Sequence, residues 1–124
     1  MFTSAVLDHT LNPRNVGAHE GATHYGQVGD PGGGPYVLIW LTIEEGVVVR
    51  ASYQTYGCPA VVACASLLCQ VAKGRTTAQL QELEERDIVG LLGGLPEGKE
   101  HCSALALAAL RKGLVSELES HDER

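Results

Sequence analysis

The chain has 124 residues, of which 44% are hydrophobic, and a formal net charge of −6. This length suits one compact domain over residues 1–124, and the hydrophobic content is too high for a disordered chain. The nine Lys and Arg residues are scattered, which argues against a nucleic-acid partner because phosphate binding needs clustered positive charge. No apolar run approaches the roughly 20 residues that cross a bilayer, and no leader segment is evident. We therefore expect a cytoplasmic protein without a membrane partner.

The predicted elements are a first helix, three strands and a series of further helices. β-Branched and aromatic residues are typical of the two longer strands, and Glu44-Glu45-Gly46 predicts a tight hairpin between them. Pro59 suits the first position of a long helix that ends at Lys73-Gly74. In chain order, we predict a helix at 3–10, strands at about 23–28, 36–43 and 47–56, and helices at 59–73, 76–85, 87–92 and 100–118. Strands grouped before helices indicate an α+β domain, with helices packed on one face of an antiparallel sheet.

Alternation along the strand at 36–43 divides its side chains between two faces. One face carries Val37, Ile39, Leu41 and Ile43, and the other carries Leu38 and Trp40. If the first face packs on the helices, Leu38 and Trp40 point outward, where a single sheet meets water. An exposed apolar patch indicates a partner or self-association surface, so we consider a homo-oligomer formed through the Leu38/Trp40 face.

Four cysteines, Cys58, Cys64, Cys69 and Cys102, occur in a chain that shows no sign of secretion. Reduced thiols are therefore favoured over disulfides. Cys58 and Cys102 each lie at a predicted helix N-terminus, where the helix dipole and free N–H groups favour a thiolate, the form that binds metals and attacks sulfur. His101 adds an imidazole beside Cys102. The alternative is a packing role, because free Cys is among the most buried residue types.

The other candidate residues have simpler interpretations. Cys64 and Cys69 lie about 9 Å and about 16 Å along the helix from Cys58, so we interpret them as core thiols. Lys99 either raises the positive potential beside Cys102 or is a solvated helix-end lysine. We interpret the following as surface or terminal residues: Met1, Phe2, His9, His19, His24 and His121.

Four motifs resemble those of a known family. They are Asn12-Pro13-Arg14-Asn15-Val16-Gly17, Val28-Gly29-Asp30-Pro31, Thr55-Tyr56-Gly57-Cys58, and Leu95-Pro96 followed by Lys99-Glu100-His101-Cys102-Ser103. Their order and spacing over residues 8–115 resemble the U-type iron–sulfur cluster assembly scaffolds: the NifU N-terminal domain, IscU and SufU. The resemblance implies a sheet of three antiparallel strands covered by helices. It also implies a transient 2Fe–2S cluster, built with sulfur from a cysteine desulfurase and passed to iron–sulfur acceptor proteins.

The sequence departs from this family in its first ligand loop. Three cysteines and an Asp usually frame the family's site, with a His beside the third cysteine, but Gly33 and Pro35 stand where the first cysteine and the Asp are expected. The resemblance thus leaves Cys58, His101 and Cys102 as ligands. Iron–sulfur clusters and structural zinc normally take four protein ligands. Water, Asp30 or a second chain would fill the open position, and we expect binding to be weak.

Three functional hypotheses follow. The first is a scaffold, not an enzyme, that holds iron, a 2Fe–2S cluster or zinc weakly through Cys58, His101 and Cys102. The second is a persulfide sulfur acceptor for a cysteine desulfurase, in which Cys102 attacks with the help of Lys99 and His101. The third is a regulatory family member that binds no metal.

Overall fold

The computed structural model describes residues 3–12 and 14–118, so Met1, Phe2, Pro13 and His121 lie outside the described residues. Its elements are α1 (Ser4–Leu11), β1 (His24–Val28), β2 (Tyr36–Glu44), β3 (Val47–Tyr56), α2 (Pro59–Ala72), α3 (Thr77–Gln81), α4 (Glu85–Leu91) and α5 (His101–Val115). The predicted α+β class with a three-stranded antiparallel sheet is confirmed. Within the described ranges, every helix is too short or too polar to cross a bilayer.

The hairpin between β2 and β3 forms as the sequence predicts. Glu44 pairs with Val47, so the loop has only two residues, Glu45 and Gly46. Both have positive φ angles, 52° and 79°, as a type I′ turn requires. This turn matches the right-handed twist of the strands, and the strand that follows it, β3, ends at Tyr56, two residues before Cys58.

The sheet has the order β1-β2-β3, and short segments cover parts of both edges. Along β3, the backbone N–H of Tyr53 donates to the carbonyl of Asn15 at 2.9 Å. Along β1, the N–H of Leu118 donates to the carbonyl of Thr23 at 2.7 Å. These bonds occupy edge groups that would otherwise be free to pair with another chain.

Helices α2 and α5 pack on one face of the sheet and on each other. The core between them contains Val37, Ile39 and Leu41 of β2, all fully buried, as the alternation predicts. Helix α5 approaches β1 closely where Gly113 of the helix lies against Gly26 of the strand. This contact fixes the position of α5, which begins at His101, against the sheet.

Three helix boundaries differ from the prediction. The helix predicted at 76–85 ends early, at Gln81 of α3, and the helix predicted at 87–92 begins early, at Glu85 of α4. Reciprocal capping bonds between Thr76 and Gln79 start α3, and a second capping pair, Glu84 with Asp87, starts α4. The last helix ends at Val115 because residues 116–118 leave it to run along the edge of β1.

The expectation that Leu38 is exposed is wrong. Leu38 does lie on the second face of the sheet, but only 7% of it is exposed. It stands between Gln27 and Gln54 across the strands, with Tyr36 and Trp40 beside it along β2. Large neighbours on the same face of a sheet can enclose a side chain without a second layer. The Leu38/Trp40 face therefore exposes less apolar surface than the strand pattern predicts, and the homo-oligomer stays a prediction.

The interpretation of His9 and His19 as surface residues is also wrong. His19 is 8% exposed, and its ring lies on the second face between the hydroxyls of Ser52 at 2.7 Å and Thr42 at 2.8 Å. His9 is 6% exposed and pairs with the Ser66 hydroxyl at 2.9 Å. These hydroxyl partners are distant in the sequence, so no local sequence pattern predicts that the two histidines are buried.

We expect the protein to lose stability on acidification because of these histidines. Burial, aided by the charges of Arg14 and Arg50 respectively, lowers the pKa of His9 and His19 below the ordinary value of 6.5. Below pH 6.5 the unfolded chain therefore binds more protons at these two histidines than the folded protein does. The stability that they contribute is complete above pH 6.5 and is lost as the pH falls towards their lowered pKa values. Urea unfolding at several pH values between 7.5 and 5 measures this loss.

His19→Gln is expected to flatten this pH dependence. A wild-type stability that stays constant or rises on acidification would contradict the prediction.

Candidate functional site

Cys58 lies at the junction between β3 and α2. It is the N-cap residue of α2, and Pro59 follows at the first helical position. Proline fits there because its fixed φ suits the helix and its missing N–H would have had no partner. The sulfur of Cys58 is half-buried at this helix start.

Cys102 lies in the first turn of α5, where its backbone N–H donates to the carbonyl of Lys99 at 3.0 Å. Ser103 strengthens this turn, since its hydroxyl donates to the carbonyl of Glu100 at 2.7 Å. The side chain of Cys102 is 2% exposed. Because α2 and α5 pack together, the turn that carries Cys102 comes to rest beside the junction that carries Cys58.

The structure brings Cys58, Cys102 and His101 together. The two Sγ atoms are 3.8 Å apart, and Nε2 of His101 is 3.8 Å from Sγ of Cys102. His101 itself is exposed, whereas Cys102 is buried, so the imidazole lies at the outer side of the thiol pair.

These groups open into a cavity of about 330 Å³. Lys99 is part of its wall, as are three apolar residues, Pro35, Val61 and Leu105. Lys99 is therefore at the site and contributes positive charge there, which favours the first of its two interpretations. The apolar walls limit hydration of the thiols.

The two thiols differ in acidity. Burial alone would raise the pKa of Cys58, but the N–H groups of Val61 and Ala60, the Cys102 thiol and the charge of Lys99 together bring that pKa below 9.0. Burial, followed by the hydrogen bond to Cys58 and the charge of Cys58, raises the pKa of Cys102 to about 11. The lowered pKa favours the thiolate form at Cys58, and the raised pKa disfavours it at Cys102.

The loop between β1 and β2 also reaches the site. Pro35 lines the cavity and lies beside Gly57, next to Cys58. Asp30, considered above for the open position, bonds within the loop instead: its carboxylate accepts from Gln27 at 3.0 Å, and its carbonyl accepts from the N–H of Gly33 at 2.9 Å. Asp30 is not among the residues that line the cavity.

Cys64 and Cys69 are buried in α2, at 0% and 2% exposure, as expected of core thiols. Burial raises the pKa of Cys64 to about 12 and also raises the pKa of Cys69. Over residues 3–12 and 14–118, no group of three or more His, Cys, Asp and Glu side chains is arranged to hold a metal ion. A third ligand would have to turn toward the thiol pair to complete such a group.

Sequence reasoning identified the polar members of this site but missed its walls. Val61 and Leu105 follow Cys58 and Cys102 at the same spacing of three residues. In a helix, this spacing places a side chain on the same face, one turn further on. This spacing can be read from the sequence, but it indicates a shared cavity wall only when the N-terminal ends of the two helices are known to lie together.

We predict that the four cysteines react with iodoacetamide in a fixed order at pH 7.5. Cys58 should react first, and Cys102 more than about tenfold more slowly, because alkylation requires an accessible thiolate. Cys64 and Cys69 should react only after unfolding. Peptide mass spectrometry against time measures the order, and a denatured sample, in which all four should react alike, is the control. Equal rates for Cys58 and Cys102 in the folded protein would contradict the prediction.

Comparisons with known proteins agree with the motifs. The family model of the NifU-like N terminal domain matches residues 1–121. The iron-sulfur cluster assembly scaffold protein IscU 1 of Archaeoglobus fulgidus is 38% identical over 115 residues, which are 93% of this chain and 75% of that protein. The protein of the same type from Escherichia coli (strain K12), IscU, is 33% identical over 118 residues, 92% of this chain and 91% of its own. A NifU-like protein (N-terminal) from Brucella abortus shares the fold, with a TM-score of 0.71 at 17% identity and 90% coverage of both chains.

Proposed function

Because this chain belongs to the NifU-like N terminal domain family, we propose that it acts in iron–sulfur cluster assembly as a scaffold that holds its cargo weakly. The cargo is iron, a 2Fe–2S cluster or zinc, and the ligands are Cys58, Cys102 and His101. The relatives named as iron–sulfur cluster assembly scaffolds support the process. The thiol pair supports the ligand set.

The distance between the two thiols carries this proposal. Metal–thiolate bonds to zinc are about 2.3 Å long, and two such bonds at a tetrahedral angle separate the sulfurs by about 3.8 Å. The Sγ atoms of Cys58 and Cys102 are 3.8 Å apart. The two thiols therefore fit two corners of one tetrahedron, with no movement of α2 or α5.

Weak binding follows from the rest of the site. His101 must turn inward to become a third ligand, because the residues as they stand form no three-ligand group in the described ranges. Gly33 and Pro35 offer no side-chain ligand, so the fourth corner is left to water or to a group from another molecule. A site with an open corner releases its cargo readily, which suits a protein that passes cargo on to acceptor proteins.

Anaerobic reconstitution with iron and sulfide tests this proposal. We expect visible-range absorption that a chelator removes quickly, and we expect Cys58→Ser and Cys102→Ser to abolish it. Cys69→Ala is the matched control, because it removes a thiol from α2 that is far from the site. If the protein shows no absorption and binds no zinc at any ratio, even with a cysteine desulfurase present, cargo holding is refuted and the regulatory hypothesis is favoured.

A second function, acceptance of persulfide sulfur from a cysteine desulfurase, is favoured by the exposure of Cys58. The sequence suggested Cys102 as the acceptor, but Cys102 is 2% exposed and Cys58 is half-buried. Sulfur from a large donor therefore reaches Cys58 first. This function needs no complete metal site and no turnover by the chain itself.

The cellular setting that we propose is the cytoplasm. All four cysteines are free thiols. Thiols stay reduced in that compartment, which both metal binding and sulfur acceptance require. The proposed partners are the sulfur-donating desulfurase and iron–sulfur acceptor proteins.

A further inference from the structure

We propose that Cys58 and Cys102 form a two-electron thiol couple that converts a bound persulfide sulfur into free sulfide and closes an intramolecular disulfide. This activity rests on the sulfur acceptance proposed above and goes beyond it, because the sulfur leaves in reduced form instead of remaining on the protein.

The arrangement of the two thiols carries the inference. Their Sγ atoms are in van der Waals contact at 3.8 Å, although 44 residues separate them in the chain. Both thiols line the cavity, but Cys58 is half-buried whereas Cys102 is only 2% exposed. A donor therefore meets Cys58 more readily, and a sulfur on Cys58 lies within reach of the second thiol, as exchange between sulfurs requires.

Among the described residues, no third thiol lines this cavity. Pro35, Val61 and Leu105 form apolar walls, and the nearest cationic side chain in the wall is Lys99. Cys64 and Cys69 are buried within α2 and do not line the cavity. A sulfur placed on Cys58 therefore has Cys102 as its thiol neighbour.

The chemistry balances in two exchanges. The Cys58 thiolate attacks the terminal sulfur of a donor persulfide; a bond forms from Cys58 Sγ to that sulfur, and the donor leaves as a thiolate. Cys102 then gives up its proton and attacks Cys58 Sγ, so that the Cys58–Cys102 bond forms and the bond to the added sulfur breaks. The added sulfur leaves as hydrosulfide and takes up the proton.

The two thiols are thereby oxidised to a disulfide, and the added sulfur is reduced to sulfide. The disulfide returns to two thiols when a dithiol reductant supplies two electrons and two protons. Closing the bond shortens the Sγ–Sγ distance from 3.8 Å to about 2.05 Å.

The test uses the full chain, reduced, freed of metal and desalted without air, with glutathione persulfide as the probe. We expect sulfide release equal to the amount of protein, loss of two thiols per chain, and a disulfide that joins the peptides of Cys58 and Cys102. Mass spectrometry, a thiol assay and trapping of sulfide with a bimane reagent measure these three quantities. Dithiothreitol should reverse the thiol loss.

Variants separate the two exchanges. Cys102→Ser should stop after the first, leaving one added sulfur on Cys58 and no sulfide release, while Cys58→Ser should prevent both. Cys69→Ala should behave as the wild type. A wild-type protein that keeps the added sulfur without releasing sulfide would overturn the thiol couple but leave sulfur acceptance intact. Sulfide release by Cys102→Ser at the wild-type rate would also overturn the thiol couple. Cargo holding is judged separately by the iron and zinc measurements.

Discussion

Replacing Gly26 by alanine is expected to destabilise the protein by about 3 kcal/mol or more, because there is no room for a methyl group where α5 meets β1. A Cβ atom at this position would collide with the carbonyl oxygen of Ala109 and with the backbone of Gly113. These are backbone atoms of a packed helix, so only a shift of α5 away from the sheet relieves the clash. Denaturant unfolding of Gly26→Ala beside the wild type measures the loss.

The shift matters for function because α5 carries Cys102. Any Gly26→Ala molecules that fold should hold the two thiols further apart, and we expect them to bind metal more weakly. Gly90 offers a matched control, since its Cβ would meet nothing within 4 Å in α4. Gly90→Ala should be neutral or stabilise the helix by up to about 1 kcal/mol. A Gly26→Ala variant as stable as the wild type would show that α5 does not pack against β1 as described.

Restoring the two absent ligands, with Gly33→Cys and Pro35→Asp together, should tighten zinc binding more than about tenfold, or about 1.4 kcal/mol. The loop can accept both changes. Gly33 does not have the positive φ of its neighbours Gly32 and Gly34, and a Cβ on it would meet only Asp30, at 3.4 Å. Pro35 already lines the cavity beside Cys58, so a carboxylate there would face the thiols.

Competition against a coloured chelator measures this affinity. The pair Gly33→Ser and Pro35→Asn is the matched control, because it adds side chains of similar size without a thiolate or a carboxylate. Equal affinity for the two double variants would mean that the loop does not present positions 33 and 35 to the thiol pair. The Gly33→Cys and Pro35→Asp variant also bears on the thiol couple, since tightly bound zinc occupies both thiols and should suppress sulfide release.

The sequence by itself determined the main secondary-structure elements and which side chains are available as metal ligands. β-Branched runs at 36–43 and 47–56 and the pair Glu45-Gly46 are local signals, so the hairpin formed as predicted. Pro59 set the start of α2 for the same reason. The motifs identified the family, and the residues at 33 and 35 showed that two ligands are absent, because a side chain that lacks a donor atom lacks it in any fold.

Only the tertiary structure decided how these residues are surrounded. Alternation along β2 told which face Leu38 occupies, but its burial depends on neighbours supplied by other strands. His19 is enclosed by hydroxyls that are distant in sequence, and Cys58 and Cys102 differ in exposure although both begin helices. Contact and burial arise where distant segments meet, and no local pattern encodes that meeting. The 3.8 Å between the two thiols, on which both proposals depend, is set by the packing of α2 against α5.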